Sequence, residues 1–468
     1  KILLGIPGIP RKDELKKLLN DRLMGVENGF VGNRHFWTSD YMSHNREDYH
    51  IGVRGTSVRT KPSEVINGEN QLGYYLGDGF TMIQRVGNEY SGIVPVWDWN
   101  RIPGTTTPYG ALRPLSNFNT LTWAGSADFA GGVSDGIFGV SCMDYKKDNL
   151  SAKKAWFMFD EGMVALGAGI NYSGAFPVNT SVNQTILRGN VEVSTGKDGT
   201  VAERGTKKLD KVNWVLHDNI GYIFPDKQNV MLSNDTKTGK MSAINSYASS
   251  SEVKADIFDL WIEHGKAVKE GKYSYIVIPE TNSAGLLEYT ANLPIKIVQN
   301  TSDVQAVWHS EDKVLEAIFY KEGSVKTENG LTVKVDKPCA VLVQERDSVM
   351  EIAVSNPKST KEIVTVTINR DLGAKATASS KSASTLVVEL PDGNYAGRTV
   401  LFDSQKGFWE GNDNRYNESI KNQPKKPQLM GITIDGEPLN SFDPEMNQYR
   451  IVVPLETNGN PVVKAYGK

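Results

Sequence analysis

Short apolar stretches broken by polar turn residues recur along most of this chain. Tyr273-Ser-Tyr-Ile-Val-Ile-Pro279, Ala340-Val-Leu-Val-Gln344 and Ile363-Val-Thr-Val-Thr-Ile368 are rich in β-branched residues and alternate as half-buried strands do. Gly-Asn, Asn-Gly and Asp-Gly pairs punctuate them, as the turns of an antiparallel chain require. Helical spacing stands out in one place: Lys12–Leu23 sets Leu15, Leu18, Leu19 and Leu23 on one stripe, with Pro10 just ahead. The pattern predicts an all-β chain with a short helical N-terminal linker.

Within that pattern the stretch Trp97-Asp98-Trp99-Asn100 is chemically the richest. Read as an extended strand, it points both indoles to one face and the oxygens of Asp98 and Asn100 to the other. Ile102-Pro103-Gly104 then forces a turn. The aromatic face suits sugar rings or a hydrophobic core, and large aromatics in a β-sandwich are more often core. The polar face suits a hard cation such as calcium.

At 468 residues the chain is too long for one core. The balance of 52 basic and 55 acidic residues, net −3, does not suit a general nucleic-acid binder, although a local basic cleft for a polyanion is compatible with it. Cys142 and Cys339 read as free buried thiols rather than a disulfide. No apolar run is long enough for a membrane span, no signal peptide is visible, and the start at Lys1 reads as a processed or truncated piece. Phosphate loops, zinc spacings and nucleophile elbows are not seen in the sequence.

The block Arg59-Thr-Lys-Pro-Ser-Glu64-Val-Ile-Asn67-Gly-Glu-Asn-Gln-Leu-Gly-Tyr-Tyr75-Leu-Gly-Asp-Gly79, together with the tryptophan block, resembles the central β domain of polysaccharide lyase family 8, the chondroitin AC, hyaluronate and xanthan lyases. The resemblance continues through Phe159-Asp-Glu-Gly-Met-Val-Ala-Leu-Gly-Ala-Gly-Ile170, Asn183-Gln-Thr-Ile186, Trp214-Val-Leu-His-Asp-Asn-Ile-Gly-Tyr-Ile-Phe-Pro225 and Leu260-Trp-Ile-Glu-His-Gly265, covering roughly residues 30–400. It implies a linker with a short helix over 1–30, a large multi-sheet antiparallel β-sandwich over 31–300 and a smaller C-terminal β-sandwich over 305–400. After the Pro/Lys linker Asn422–Pro427, residues 428–468 resemble the opening of a cadherin-like β module.

The family cleaves uronic-acid polysaccharides such as chondroitin sulfate and hyaluronan by β-elimination, and the resemblance places this chain as one wall of the cleft. It implies that Glu64 holds catalytic side chains in place and that Asn67 hydrogen-bonds the sugar or its carboxylate; without the surrounding match the two are a polar turn. Arg54, Arg59 and Lys61 are candidates for the acidic polymer or, equally, a solvated strand edge. Some family members bind calcium where this chain has Asp98 and Asn100; the amide lowers the ligand charge, and the match near Tyr109 is poor. No cofactor is required. The family's base and acid, a His and a Tyr beside an Arg, sit on an N-terminal helical domain missing from this chain, so the chain alone is expected to be inactive. His35, His44, His217 and His264 read as structural, and His217-Asp218 is no dyad because neighbouring strand residues face opposite ways. A bacterial protein that is secreted, periplasmic or at the cell surface follows from the resemblance. The competing readings are a carbohydrate-binding or surface scaffold protein without lyase activity, and a lyase for xanthan-type polysaccharide.

Overall fold

In the strand Leu150–Phe159 the side chains of Trp156 and Met158 enter one hydrophobic core while Ala155, Phe157 and Phe159 enter another. That alternation organises the fold: the sheet bearing this strand is covered on both faces, so its strands read as nearly unbroken apolar runs. The computed structural model describes residues 12–13, 15–16, 19, 31–64, 68–115, 123–196, 198–346 and 348–409, with the strand segments Leu429–Ile434, Glu437–Pro438 and Val463–Gly467.

The covered sheet has nine antiparallel strands, with Gly139–Lys147, Leu150–Phe159, Gly162–Tyr172 and Gly271–Ile278 among them. Its first face shares a core with a four-stranded meander (Gly32–Phe36, Tyr41–Asn45, His50–Arg54, Phe80–Gln84) and with a five-stranded sheet built on Val178–Ile186, Val230–Lys240 and Glu252–Gly265. Its second face packs on the helix Ser283–Ala291, through Leu286, and on a seven-stranded sheet through Val307, Ile318, Leu342 and Leu401. That seven-stranded sheet pairs face to face with another five-stranded sheet around its own core, making the second sandwich.

The architecture is the all-β, multi-sheet antiparallel one expected. Lys12, Asp13, Leu15, Lys16 and Leu19 are helical, while Leu18 and Leu23 of that stripe lie outside the described residues. Three details differ from the sequence reading. Helix Ser283–Ala291 was not anticipated: it buries Leu286 alone, too little for an apolar stripe, yet Asn282 caps it by accepting from Gly285 N at 2.9 Å. The chain enters the second sandwich at the strand Ile295–Asn300, ahead of residue 305, because that strand already pairs with Val304–His309. Residues 97–100 are not a strand; Val94–Val96 is a 3₁₀ turn with Pro95 inside it, and the chain turns again at 99–100.

Cys142 and Cys339 are both free and buried. No described helix is long and apolar enough to cross a membrane. The chain divides into two compact units, Lys1–Tyr416 and Asn417–Lys468, and the second holds a three-stranded antiparallel sheet.

Candidate active-site wall

Loops at one part of the first sandwich build an aromatic cluster of their own. Tyr74, Tyr75, Trp99, Ile102, Leu115 and Ile244 are buried in it, and Phe80, Trp97 and Trp123 pack against them. Trp97 and Trp99 meet edge to face at 5.4 Å between ring centroids. The two tryptophans share a side, as the sequence suggested, but that side is core.

What the cluster supports is a hollow of 140 Å³ lined by Pro62, Tyr74, Asp78, Trp123, Tyr145 and Lys147, among others. Tyr74 and Trp123 stack with centroids 5.5 Å apart and planes 13° from parallel. The Lys147 ammonium lies 3.9 Å from the Tyr74 ring centroid and 5.0 Å from that of Trp123. It is held there by Asp78 Oδ2 at 2.8 Å and by the Tyr74 carbonyl at 2.6 Å. The hairpin after it turns through Asp148 and Asn149, both at positive φ (51° and 62°), which closes a two-residue loop and aims Asp148 back at Tyr74. The Tyr74 hydroxyl donates to Asp148 at 2.9 Å, and Arg113 pairs with the same carboxylate at 3.1 Å. Burial, then the Asp148 charge, pushes the Tyr74 phenol up, and burial with Asp78 does the same to Tyr145, so neither is poised as a phenolate base. Lys146, Arg113 and Lys61 are exposed around this region, the first lining the hollow and the last adjoining Pro62. The volume is below the roughly 300–1,000 Å³ of an enclosing ligand site, so the hollow is a wall feature rather than a closed cavity.

Below it Lys154 is completely buried, and its ammonium donates to Gly104 O at 2.6 Å and Asp78 O at 3.3 Å. Burial brings its pKa down to about 7. It ties the Ile102-Pro103-Gly104 turn, where Gly104 has φ 79°, to the loop carrying Asp78.

The residues singled out in the sequence fall in different places. Glu64 is exposed on the loop that adjoins the hollow through Pro62; Asn70 holds that loop by donating to the Glu64 carbonyl and to Ser63 Oγ, both at 2.8 Å. Asn67 lies outside the described residues. Arg54 donates to the Lys61 carbonyl at 2.8 Å. Arg59 is used as a brace: its guanidinium reaches Asp40, Asp128 O and Ala130 O in the first sandwich and Pro357 O and Lys358 O in the second. Asp98 and Asn100 are used internally. Asp98 Oδ2 takes Arg101 at 2.8 Å and the Tyr109 hydroxyl at 3.1 Å, Asp98 Oδ1 takes Asn100 N at 3.1 Å, and Asn100 Oδ1 accepts from Gly110 N at 3.1 Å. A guanidinium already fills the cation position, so this donor set does not fit calcium.

The histidines are committed elsewhere. His44 is wholly buried on Phe159 O at 2.8 Å, His217 stacks on Phe258 at 4.3 Å and accepts from Arg188 N, and His264 meets Thr180 at 2.8 Å. Burial lowers the pKa of these three and of His35. Asp218 pairs with Arg188 and Arg85, not with His217. His309 is different: Glu161 at 2.6 Å and Asp312 at 3.2 Å flank its two ring nitrogens, and the Tyr289 hydroxyl donates to Glu161 at 2.7 Å. Burial opposes the His309 charge, yet Glu161 raises its pKa overall, while His309 lowers that of Glu161; burial pushes Asp312 up to about 6. This cluster joins the turn at Asp160–Glu161 of the first sandwich to the end of Val304–His309 in the second.

The family model "Polysaccharide lyase family 8, super-sandwich domain" matches residues 31–290, and that of the family's C-terminal β-sandwich domain matches 296–365. The chain belongs to polysaccharide lyase family 8. It is 41% identical over 369 residues to chondroitinase-AC of Pedobacter heparinus, covering 78% of this chain and 51% of that protein. It is 30% identical to a hyaluronate lyase of Thermasporomyces composti (80% and 47% covered) and 32% identical to a xanthan lyase of a Bacillus species (67% and 34%). This family-8 chain thus spans about half the length, or less, of these relatives. A solved chondroitinase AC lyase, described with oligosaccharide complexes, superposes with a TM-score of 0.75 at 36% identity over 84% of this chain and 57% of that one. Tyr74, Trp123 and Lys147 were not singled out from the sequence; their signal is spatial, since Lys147 meets Tyr74 across 73 positions.

Proposed function

We propose that this chain is the β wall of a lyase that cleaves uronic-acid-containing glycosaminoglycans, chondroitin sulfate or hyaluronan, by β-elimination. One observation carries the reading: the stacked Tyr74–Trp123 pair beside an open hollow, with exposed cations around it, on the same loop module as Glu64. The half-buried Trp123 indole, braced on the buried Tyr74 ring, offers apolar surface suited to the C–H face of a pyranose, and the cations suit a polyanion. The names of the relatives point to the same substrate class, with the higher identity on the chondroitinase side and the lower on the xanthan side.

In the elimination a base takes the C5 proton of the uronate, the C4–C5 double bond forms, and the C4–O bond breaks as an acid protonates the departing oxygen. Charge builds on the carboxylate during proton loss and needs fixed dipoles. Asn67 supplies one such dipole and Glu64 orients neighbouring catalytic groups. Base and acid come from a helical portion outside this chain, a reading supported by the buried, low-pKa histidines and the raised phenols described above. The protein acts outside the bacterial cytoplasm, where its polymer is found.

Calorimetric titration of the chain with a chondroitin sulfate decasaccharide tests the wall. Trp123→Ala should weaken binding about tenfold, on the order of 1.4 kcal/mol, with thermal stability little changed. Equal affinities for the two proteins would remove the aromatic pair from the site.

A further inference from the structure

Tyr247 is the most exposed large apolar side chain among the described residues, 81% accessible. An isolated exposed aromatic is ordinary, but two observations distinguish this one. Its turn is fixed: Tyr247 N donates to Asn245 Oδ1 at 2.9 Å, Ala248 N to Asn245 O at 3.0 Å, and Asn245 N to Met241 O at 2.9 Å. An aromatic held on a pre-ordered turn loses little conformational entropy on binding. The turn is also fastened to the proposed cleft wall. Ser246 N donates to Gly68 O at 2.9 Å and Gln71 N to Ile244 O at 2.8 Å, so this loop and the 68–71 turn clasp each other. A Cβ placed on Gly68 would stand 3.5 Å from Tyr247 Cε2, which puts the ring directly beside that turn. Ile244, three positions before Tyr247, is buried in the cluster that carries Tyr74 and Trp123.

The charges nearby narrow the ligand. Glu69 follows Gly68 and is exposed, as is Glu64 at the head of the same loop. Two carboxylates disfavour a uronate at this position and are indifferent to an uncharged ring. We propose that Tyr247 is a stacking platform for a neutral hexosamine ring of an acidic polysaccharide whose chain continues past the Tyr74–Trp123 pair. The platform rests on the function proposed above and adds a contact and a sugar preference to it.

The test is titration of the full chain with an unsulfated chondroitin decasaccharide, whose hexosamine rings are neutral, comparing wild type, Tyr247→Ala, Tyr247→Phe and Trp123→Ala. Tyr247→Ala is expected to bind about three- to tenfold more weakly, and Tyr247→Phe, which keeps the ring, within about twofold of wild type. If Trp123→Ala weakens binding and Tyr247→Ala does not, the platform is overturned and the wall stands. If Tyr247→Phe is as weak as Tyr247→Ala, the hydroxyl rather than the ring makes the contact and stacking is overturned. If wild type binds no decasaccharide, the underlying function falls and the platform with it.

Discussion

At Tyr74 and Trp123 a lysine lies over two aromatic rings beside an open hollow; at Phe159 a histidine lies 5.2 Å from a ring and its two nitrogens face Glu161 and Asp312. Both places combine rings, a cationic group and carboxylates. The difference lies in what is left over. Around the hollow, Lys147 is fixed by Asp78, but a half-buried Trp123 still faces space and cations surround it. At the junction the donors and acceptors of His309, Glu161 and Tyr289 are spent on one another between two sandwiches. A cluster that satisfies itself holds domains together, whereas one that leaves surface unused can receive a ligand.

Arg59 is the sharpest test of that distinction, because its sequence context suggested a ligand contact and its geometry is that of the junction. Arg59→Ala leaves the almost fully buried Asp40 carboxylate without its cation and removes the bonds to Pro357 and Lys358. Unfolding by urea should show a loss of about 3 kcal/mol, with decasaccharide affinity per folded molecule unchanged. A stable variant that binds weakly would move Arg59 to the ligand side.

The junction cluster makes a second, smaller prediction with a pH signature. His309 has a raised folded pKa, so its contribution is complete below its ordinary value of about 6.5 and is lost as pH rises through the folded one. Glu161 has a lowered folded pKa, so its contribution is complete above about 4.3 and is lost as pH falls through the folded one. Asp312, Glu311, Asp160 and Tyr289 also face this site. His309→Ala should therefore cost about 1.5–3 kcal/mol between those two pH values and less on either side. A loss independent of pH would make His309 a packing residue only. Against these, Trp123→Ala is the mildest change, about 1.4 kcal/mol in binding and little in folding, the reverse of the Arg59 pattern.

The β-rich architecture was legible because its cause is local: β-branched alternation and turn residues recur along the chain. The assignment of Trp97 and Trp99 to a core followed from their size. The strand geometry proposed for them failed because Pro95 and the following turn outweigh the alternating pattern. The bracing by Arg59 was not legible in the sequence because four of its partners lie 69 to 299 positions away and only Asp40 is closer. The calcium expectation at Asp98 and Asn100 could not include Asp259, 158 positions on from Arg101, whose carboxyl takes the same guanidinium at 3.1 Å and is pushed up to about 7 by burial. Glu64 was placed by resemblance; the hollow beside it arises from loops that meet only in the folded chain.

The most direct test of the central claim is to incubate the chain with chondroitin sulfate and with hyaluronan and follow the ultraviolet absorbance of the unsaturated product, with binding measured on the same samples. The account predicts binding with negligible turnover. Robust product formation by this chain alone would contradict it, because base and acid would then lie among its own residues.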